Sequence, residues 1–179
     1  LFAPGSKADA RQALGLAMDK KIVLFPWNPA RPEKRFDFVA EAVRLVRNEH
    51  AGVELVPVYN QPHERVAKYM NASDALVLAS DYEGSPMAIR EAMACNLPIV
   101  SVDVGDSRQI IEHTEGCYLC TREPSDLART LAVALARGRR TDGARLVQQA
   151  DAAYGARQVL QVYRSVLKSH QRHRRKQCE

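Results

Sequence analysis

Two glutamates lie eight residues apart around a predicted helix start, in the stretch EGSPMAIRE that runs from Glu83 to Glu91. Eight helical residues would span about 12 Å, which is too far for two carboxylates to share one proton. The pair is therefore not a general acid–base dyad. The two acids can instead face one cleft and hold opposite ends of an extended ligand. A carboxylate that accepts two hydroxyl protons is a common way to bind a ribose.

The residues between the two acids predict an anion site. Gly84, Ser85 and Pro86 precede a helix that includes Met87, and proline is tolerated in a first helical turn because its missing N–H would have no partner there. Gly84 allows a ligand to approach the main chain closely. The unpaired amides of a first turn, together with the helix dipole, attract phosphate. An exposed helix acid paired with Arg90 is the alternative role for Glu91.

A basic loop follows the first predicted strand. Arg31, Lys34 and Arg35 lie in PWNPARPEKR, at the start of the next helix. Cations at a helix N-terminus oppose the dipole, so three of them indicate an anion nearby. Stabilising the charge of a departing diphosphate is one such role. A solvated basic turn is the alternative.

Apolar runs alternate with amphipathic segments along the chain, which predicts an α/β fold with a doubly wound, Rossmann-like parallel sheet and helices on both faces. Ligands bind such sheets at the carboxyl ends of the strands. Asp106 and either Pro124 or Ser125 are predicted to be the N-terminal caps of helices, and Gly138 is predicted to end one. The predicted strands are 21–25, 53–59, 75–79, 98–102 and 116–120, and the other predicted helices are 35–50, 62–73, 141–153 and 156–170.

The predicted organisation is a single domain in four segments. Residues 1–20 form a linker and short helix, 21–138 the Rossmann-like core, 139–170 C-terminal helices that wrap back, and 171–179 a basic tail. We expect the chain to be one part of a longer protein.

Composition narrows the function classes. No apolar run approaches the roughly 20 residues that a membrane span needs. The C-x-x-C pair of Cys117 and Cys120 lacks a second ligand pair, so buried thiols are favoured over zinc, and no metal or cofactor is predicted. The net charge of +5 is concentrated in the tail, which could contact an anionic membrane surface. No aromatic residues interleave these charges, which disfavours nucleic acid.

The motifs as a group resemble a known family. The block EGSPMAIREAMACNLPIVS is similar to the paired-glutamate signature of retaining glycosyltransferases of family 4, in the C-terminal half of the GT-B fold. YMNASDALVLAS resembles the strand that precedes it, and VGDSRQII with GCYLC resembles the segment that follows. PSDLARTLAVAL and LFAPGSKADARQALGL resemble the next helix and the linker from the N-terminal domain.

The resemblance implies a donor substrate and roles for the site residues. The donor would be a UDP-, GDP- or ADP-linked sugar, with Glu91 on the ribose hydroxyls and Glu83 on the sugar or its phosphate end. The amides of Gly84, Ser85 and Met87 would hold the diphosphate. Transfer would retain the anomeric configuration and need no metal.

The same resemblance assigns the basic loop and the base pocket. Arg31 and Lys34 would neutralise the leaving group, although the family's arginine usually lies further from its lysine. Tyr59 and Asn60 are candidates for flanking the base. The acceptor, a glycan or a lipid-linked sugar, would bind an N-terminal domain that this chain lacks, so the isolated domain is expected to be inactive in transfer.

Two other functions remain open from the sequence. A nucleotide-sugar epimerase or a phosphorylase could use the same architecture, and a non-catalytic module could act through the tail. A cytoplasmic location, with contact to the inner face of the membrane through the tail, is expected for the leading hypothesis of polysaccharide biosynthesis.

Overall fold

The computed structural model describes residues 1–148, 156 and 159–167. Two compact units divide the chain at Arg145 and Leu146, and the first unit contains the whole sheet. In the second unit, residues 159–167 are helical. Within the described ranges, no helix is both long and apolar enough to cross a bilayer.

Five parallel strands form the sheet, in the order β2-β1-β3-β4-β5. Every residue of β3 and β4 is buried, as expected for strands covered by helices on both faces. The strands are β1 (Lys21–Phe25), β2 (Val53–Pro57), β3 (Ala75–Leu78), β4 (Ile99–Val102) and β5 (Cys117–Cys120).

The helices form two layers, because right-handed crossovers change face when the direction of strand addition reverses. α2 packs against α6 in one layer, and α1, α3, α4 and α5 pack successively in the other. The helices are α1 (Lys7–Leu14), α2 (Phe36–Glu49), α3 (His63–Ala72), α4 (Met87–Ala94), α5 (Ser107–Ile111), α6 (Pro124–Arg137) and α7 (Gly143–Gln148). A 3₁₀ turn at Pro32–Lys34 precedes α2.

The strand order reverses between β1 and β3. From β1 the chain proceeds to β2 on one side, and from β3 it proceeds to β4 and β5 on the other. The loops that follow β1 and β3 therefore leave the same edge next to each other, and ligands of open α/β sheets bind at such a switch point. This topology brings the basic loop and the Glu83 loop together.

The predicted fold class is confirmed, and all five predicted strands are present. Gly138 ends α6 in the left-handed conformation, with φ of 66°, as predicted. One predicted helix cap is wrong, and the other is correct in position only. The residue before α6 is Glu123, so neither Pro124 nor Ser125 is the cap. Asp106 does precede α5, but its carboxylate makes no capping hydrogen bond.

The four-segment division stays a prediction. Parts of the two C-terminal helices and the basic tail lie outside the described residues, which omit 149–155, 157–158 and 168–179.

Candidate functional site

A buried ion pair joins the loops after β1 and β3. The Nζ of Lys34 lies 2.6 Å from Oε1 of Glu83, and the two side chains are only 8% and 16% exposed. The hydroxyl of Ser80 donates to the same oxygen at 2.8 Å. Oε2 of Glu83 accepts no hydrogen bond from the described part of the chain. One side of the carboxylate is therefore held by the protein, and the other remains for a ligand.

The local backbone brings Lys34 to this position. The 3₁₀ turn ends at Lys34, and Arg35 then adopts a left-handed conformation, with φ of 54°, before α2 begins. The amide of Asp81 donates to the carbonyl of Glu33 at 2.9 Å, which joins this turn to the loop after β3. The ammonium of Lys34 also lies 5.2 Å from the ring centre of Trp27.

The other two cations of the basic loop have different partners. Arg31 is 55% exposed and pairs with Glu33 at 2.5 Å. Arg35 binds Asp37 and Asp81 at 3.4 and 3.2 Å, and these carboxylates raise its pKa above the usual value. Only Lys34 of the three is buried against Glu83.

The predicted phosphate site lies at the start of α4. Pro86 is the cap residue, and Gly84, Ser85 and Met87 are exposed around it. The first amides of α4 have no partner four residues earlier, so they can donate to an anion. Gly84, Ser85 and Met87 are therefore accessible to a ligand at the carboxyl edge of the sheet, whereas Pro86 is buried.

The loop after β4 supports this helix start from behind. The amide of Asp106 donates to the carbonyl of Gly84 at 3.3 Å. Gly105 has φ of 57°, and a Cβ at this position would lie 2.9 Å from the carbonyl oxygen of Glu83. Only glycine combines this conformation with such a close approach.

Side chains link the same two loops. Ser85 Oγ and Arg90 Nη2 both donate to Oδ2 of Asp106, each at 2.8 Å. These two bonds explain why the Asp106 carboxylate accepts no capping hydrogen bond from α5. The other oxygen, Oδ1, is buried without a partner in the described residues. Sequence reasoning missed the link because the three residues belong to two different strand–helix units.

Glu91, in α4, is half-buried and differs from its neighbours. Its carboxylate forms no hydrogen bond or ion pair with any described residue, and Arg90 pairs with Asp106 instead. Burial raises the pKa of Glu91 above its ordinary value, while nearby His63 opposes the shift. A half-buried carboxylate with no donor is suited to binding hydroxyl groups.

Tyr59 and Asn60 follow β2 at the same edge of the sheet. Both are exposed, and Asn60 has φ of 52°.

Ser80 and Arg122 are two further residues of this edge that were not predicted. Ser80 is fully buried at the end of the β3 run, where serine looks like an ordinary turn residue. Arg122 lies in the loop after β5, 39 positions beyond Glu83. Neither has a local sequence signal for its contacts.

No metal site is found in the described ranges, where no three histidine, cysteine or acidic side chains cluster suitably. Cys117 and Cys120 are buried free thiols in β5, as predicted, and burial raises the pKa of each to about 12. Both thiols are therefore protonated at neutral pH.

Solved structures share this architecture. A sucrose-phosphate synthase from Thermosynechococcus elongatus matches with a TM-score of 0.68 and 25% identity, over 94% of this chain and 50% of that chain. HepE from Anabaena, in complex with UDP-glucose, matches with a TM-score of 0.66 and 19% identity, over 92% and 54%. The chain has the Rossmann-like fold of GT-B glycosyltransferases.

Sequence relatives agree with this class. Residues 56–137 match the family model of the glycosyl transferases group 1. The D-inositol 3-phosphate glycosyltransferase of Geodermatophilus obscurus is 28% identical in an alignment that covers 76% of this chain and 38% of that enzyme. This region is therefore similar to the group 1 glycosyl transferases, and the resemblance to glycosyltransferases that the motifs predicted is confirmed. The chain spans 20% to 38% of the length of the first curated relatives it matches.

Proposed function

We propose that this chain is the donor-binding half of a retaining glycosyltransferase. In this role it binds a nucleotide-diphosphate sugar, whose sugar is transferred to a glycan or lipid-linked acceptor. The observation that carries the proposal is the buried Lys34–Glu83 pair beside the exposed start of α4, with Glu91 further along the same helix. The UDP-glucose complex of the structural neighbour HepE supports this choice of ligand class.

Glu91 binds the ribose in this proposal. Its carboxylate is half-buried and lacks a donor among the described residues, so the charged form is poorly stabilised without ligand. Two ribose hydroxyls would supply the missing hydrogen bonds. Hydrogen bonds to a charged group contribute about 1.5–3 kcal/mol. Tyr59 and Asn60 flank the base at the neighbouring strand.

The diphosphate binds at the start of α4. The amides of Gly84, Ser85 and Met87 donate to its oxygens, and the helix dipole adds positive potential. These groups are fixed before the donor arrives, because the Asp106 amide and side chain hold the loop from behind. Preorganised donors of this kind stabilise charge that develops on a leaving group.

Glu83 and Lys34 act at the reacting end of the donor. Oε1 of Glu83 is occupied by Lys34 and Ser80, which leaves Oε2 to accept a sugar hydroxyl. Lys34 contributes its charge to the departing diphosphate, and Arg31 adds a further cation from the rim. The reaction retains the anomeric configuration and uses no metal, as in the family that the motifs resemble.

Transfer requires a second, acceptor-binding domain on the N-terminal side. This chain spans 38% of the Geodermatophilus enzyme and about half of the structural neighbours. The isolated chain therefore binds nucleotide but does not transfer sugar. Free thiols at Cys95, Cys117 and Cys120 suit a reducing, cytoplasmic setting.

Titration calorimetry with UDP, GDP and ADP tests the proposal. One of the three nucleotides should bind, and Glu91→Gln should weaken that binding roughly 10- to 150-fold, the equivalent of one charged hydrogen bond. Glu41→Gln is the matched control, since the Glu41 side chain is exposed on a helix and, among the described residues, pairs only with Arg44. Absence of binding for all three nucleotides contradicts the proposal.

A further inference from the structure

Arg122 clamps the end of β3 from the loop after β5. Its guanidinium donates to the carbonyls of Ala79, Ser80 and Asp81 at 3.4, 2.9 and 3.3 Å. These three consecutive carbonyls lie where the strand ends and the Glu83 loop begins. A planar guanidinium can serve several acceptors with a fixed geometry, which a lysine ammonium cannot reproduce.

Ser80 links Arg122 to Glu83. Arg122 holds the backbone of Ser80, and the side chain of Ser80 donates to Oε1 of Glu83 at 2.8 Å. Ser80 is fully buried, so its hydroxyl has little freedom to turn elsewhere. The orientation of the Glu83 carboxylate therefore depends on the backbone that Arg122 fixes.

A second connection reaches the basic loop. Oδ1 of Asp81 lies 3.4 Å from Nη1 of Arg122 and 3.2 Å from Nη1 of Arg35. Arg35 directly follows Lys34, the cationic partner of Glu83. The contacts of Arg122 thus tie together the loops after β1, β3 and β5 around the Lys34–Glu83 pair.

We propose that Arg122 is a positioning residue for Glu83, which sets this carboxylate towards the sugar of the donor without touching the donor itself. The inference rests on the proposed function. Among the described residues, the hydrogen bonds and ion pairs of Arg122 involve neither Glu91 nor the start of α4, so this proposal gives Arg122 no role in holding the ribose or the diphosphate. Loss of Arg122 should weaken recognition of the sugar alone.

A role in overall stability does not account for this arrangement. The Arg122 side chain is 43% exposed, and its partner Asp81 is 42% exposed. Exposed ion pairs of this kind contribute little to folding. The carbonyls that Arg122 serves lie at the working edge of the sheet, where solvent could replace it without unfolding the core.

The test compares two ligands on one chain. Dissociation constants are measured for the nucleotide diphosphate that binds (UDP, GDP or ADP) and for its glucose ester. Arg122→Ala should weaken the ester about tenfold, the equivalent of one hydrogen bond, and leave the diphosphate unchanged. Arg122→Lys should recover only part of the loss. Arg108→Ala is the control, since Arg108 is exposed and its one ion pair in the described part of the chain is with Asp103.

A double mutant shows whether the effect passes through Glu83. If it does, Arg122→Ala should have no further effect on ester binding in a Glu83→Gln background. An equal loss for both ligands, no loss for either, full additivity with Glu83→Gln or the same loss in Arg108→Ala each overturn the inference. A wild-type chain that binds none of the ligands overturns the proposed function and this inference with it, whereas the other outcomes leave the proposed function standing.

Discussion

Glu83 and Glu91, at the two ends of one short stretch, lie in opposite electrostatic environments. Glu83 is mostly buried, and one of its oxygens receives hydrogen bonds from Lys34 and Ser80. Glu91 is half-buried and has no donor among the described residues, and burial raises its pKa. The chain stabilises the charge of one acid and leaves the other without compensation.

The difference follows from where each acid lies. Glu83 is on the loop at the topological switch point, where the loop after β1 supplies a cation. Glu91 is in the second turn of α4, where the surrounding groups are mostly apolar. A buried charge without a partner is costly, so it persists where a ligand can supply hydrogen bonds. We therefore interpret Glu83 as a preorganised group and Glu91 as one that is satisfied only by the ligand.

Removing Lys34 should leave the Glu83 carboxylate without a cation, as the Glu91 carboxylate is. We expect this change to have the largest effect on activity and stability. In the full-length enzyme, Lys34→Ala should lower kcat roughly 10²–10³-fold, because a preorganised charge at the leaving group is lost. The chain should also lose about 3 kcal/mol of unfolding free energy, since an almost buried carboxylate is left without its cation. Steady-state kinetics and urea unfolding measure the two effects.

Two variants control the Lys34 experiment. Lys68→Ala removes an exposed lysine of α3 and should change neither quantity. Lys34→Ala combined with Glu83→Gln should recover part of the stability but none of the activity. Unchanged turnover in Lys34→Ala would remove this residue from the mechanism.

Gly105→Ala should displace the backbone of Glu83 and Gly84, which lies against position 105. The substitution adds strain at φ of 57° and places a methyl group against the carbonyls of Glu83 and Gly84. We expect a loss of about 1–3 kcal/mol in unfolding free energy, together with weaker binding of the nucleotide sugar. Gly15→Ala has a similar φ of 67° with open space around it, so it isolates the cost of strain alone. Equal losses in both variants would show that the close approach at Gly105 is unimportant.

Glu91→Gln should have the smallest effect on stability, and the direction of that effect shows whether the Glu91 carboxylate has a partner in the protein. Because burial raises the pKa of Glu91 above the ordinary 4.5, the folded chain binds this proton more tightly than the unfolded chain does. Its contribution to stability is present below pH 4.5 and is lost as the pH rises through the folded pKa. The variant should therefore gain stability relative to the wild type as the pH rises above 4.5 through the folded pKa of Glu91.

Glu41→Gln should change the pH dependence of stability in the opposite direction. The side-chain hydrogen bond from Arg44 lowers the pKa of Glu41, so the wild type gains stability from this acid as the pH rises. Urea unfolding across the same pH range measures both variants. A Glu91→Gln chain that loses stability with rising pH, as Glu41→Gln should, would show that Glu91 already has a partner in the protein.

The strands and the helix start at Pro86 could be predicted because their signals are local. Continuous apolar runs mark strands that are covered on both faces, and the glycine–serine–proline sequence marks the helix start within one strand–helix unit. The contacts between loops could not be predicted in this way. Lys34 and Glu83 meet only because β1 lies beside β3, and the strand order is a property of the whole sheet.

The missing side-chain cap at Asp106, which is the N-cap residue as predicted, has the same origin. An aspartate before a helix favours a cap, but Arg90 and Ser85 on another strand–helix unit compete for this carboxylate and bind it. Arg122 likewise reaches three carbonyls that are distant along the chain.

The glycine at position 105 also limits how this protein could be engineered. Because its backbone lies directly against the main chain of Glu83 and Gly84, this part of the candidate site has no side chain that could be exchanged. Libraries aimed at a new sugar preference should therefore keep position 105 constant and vary the exposed rim, such as Tyr82 and Met87.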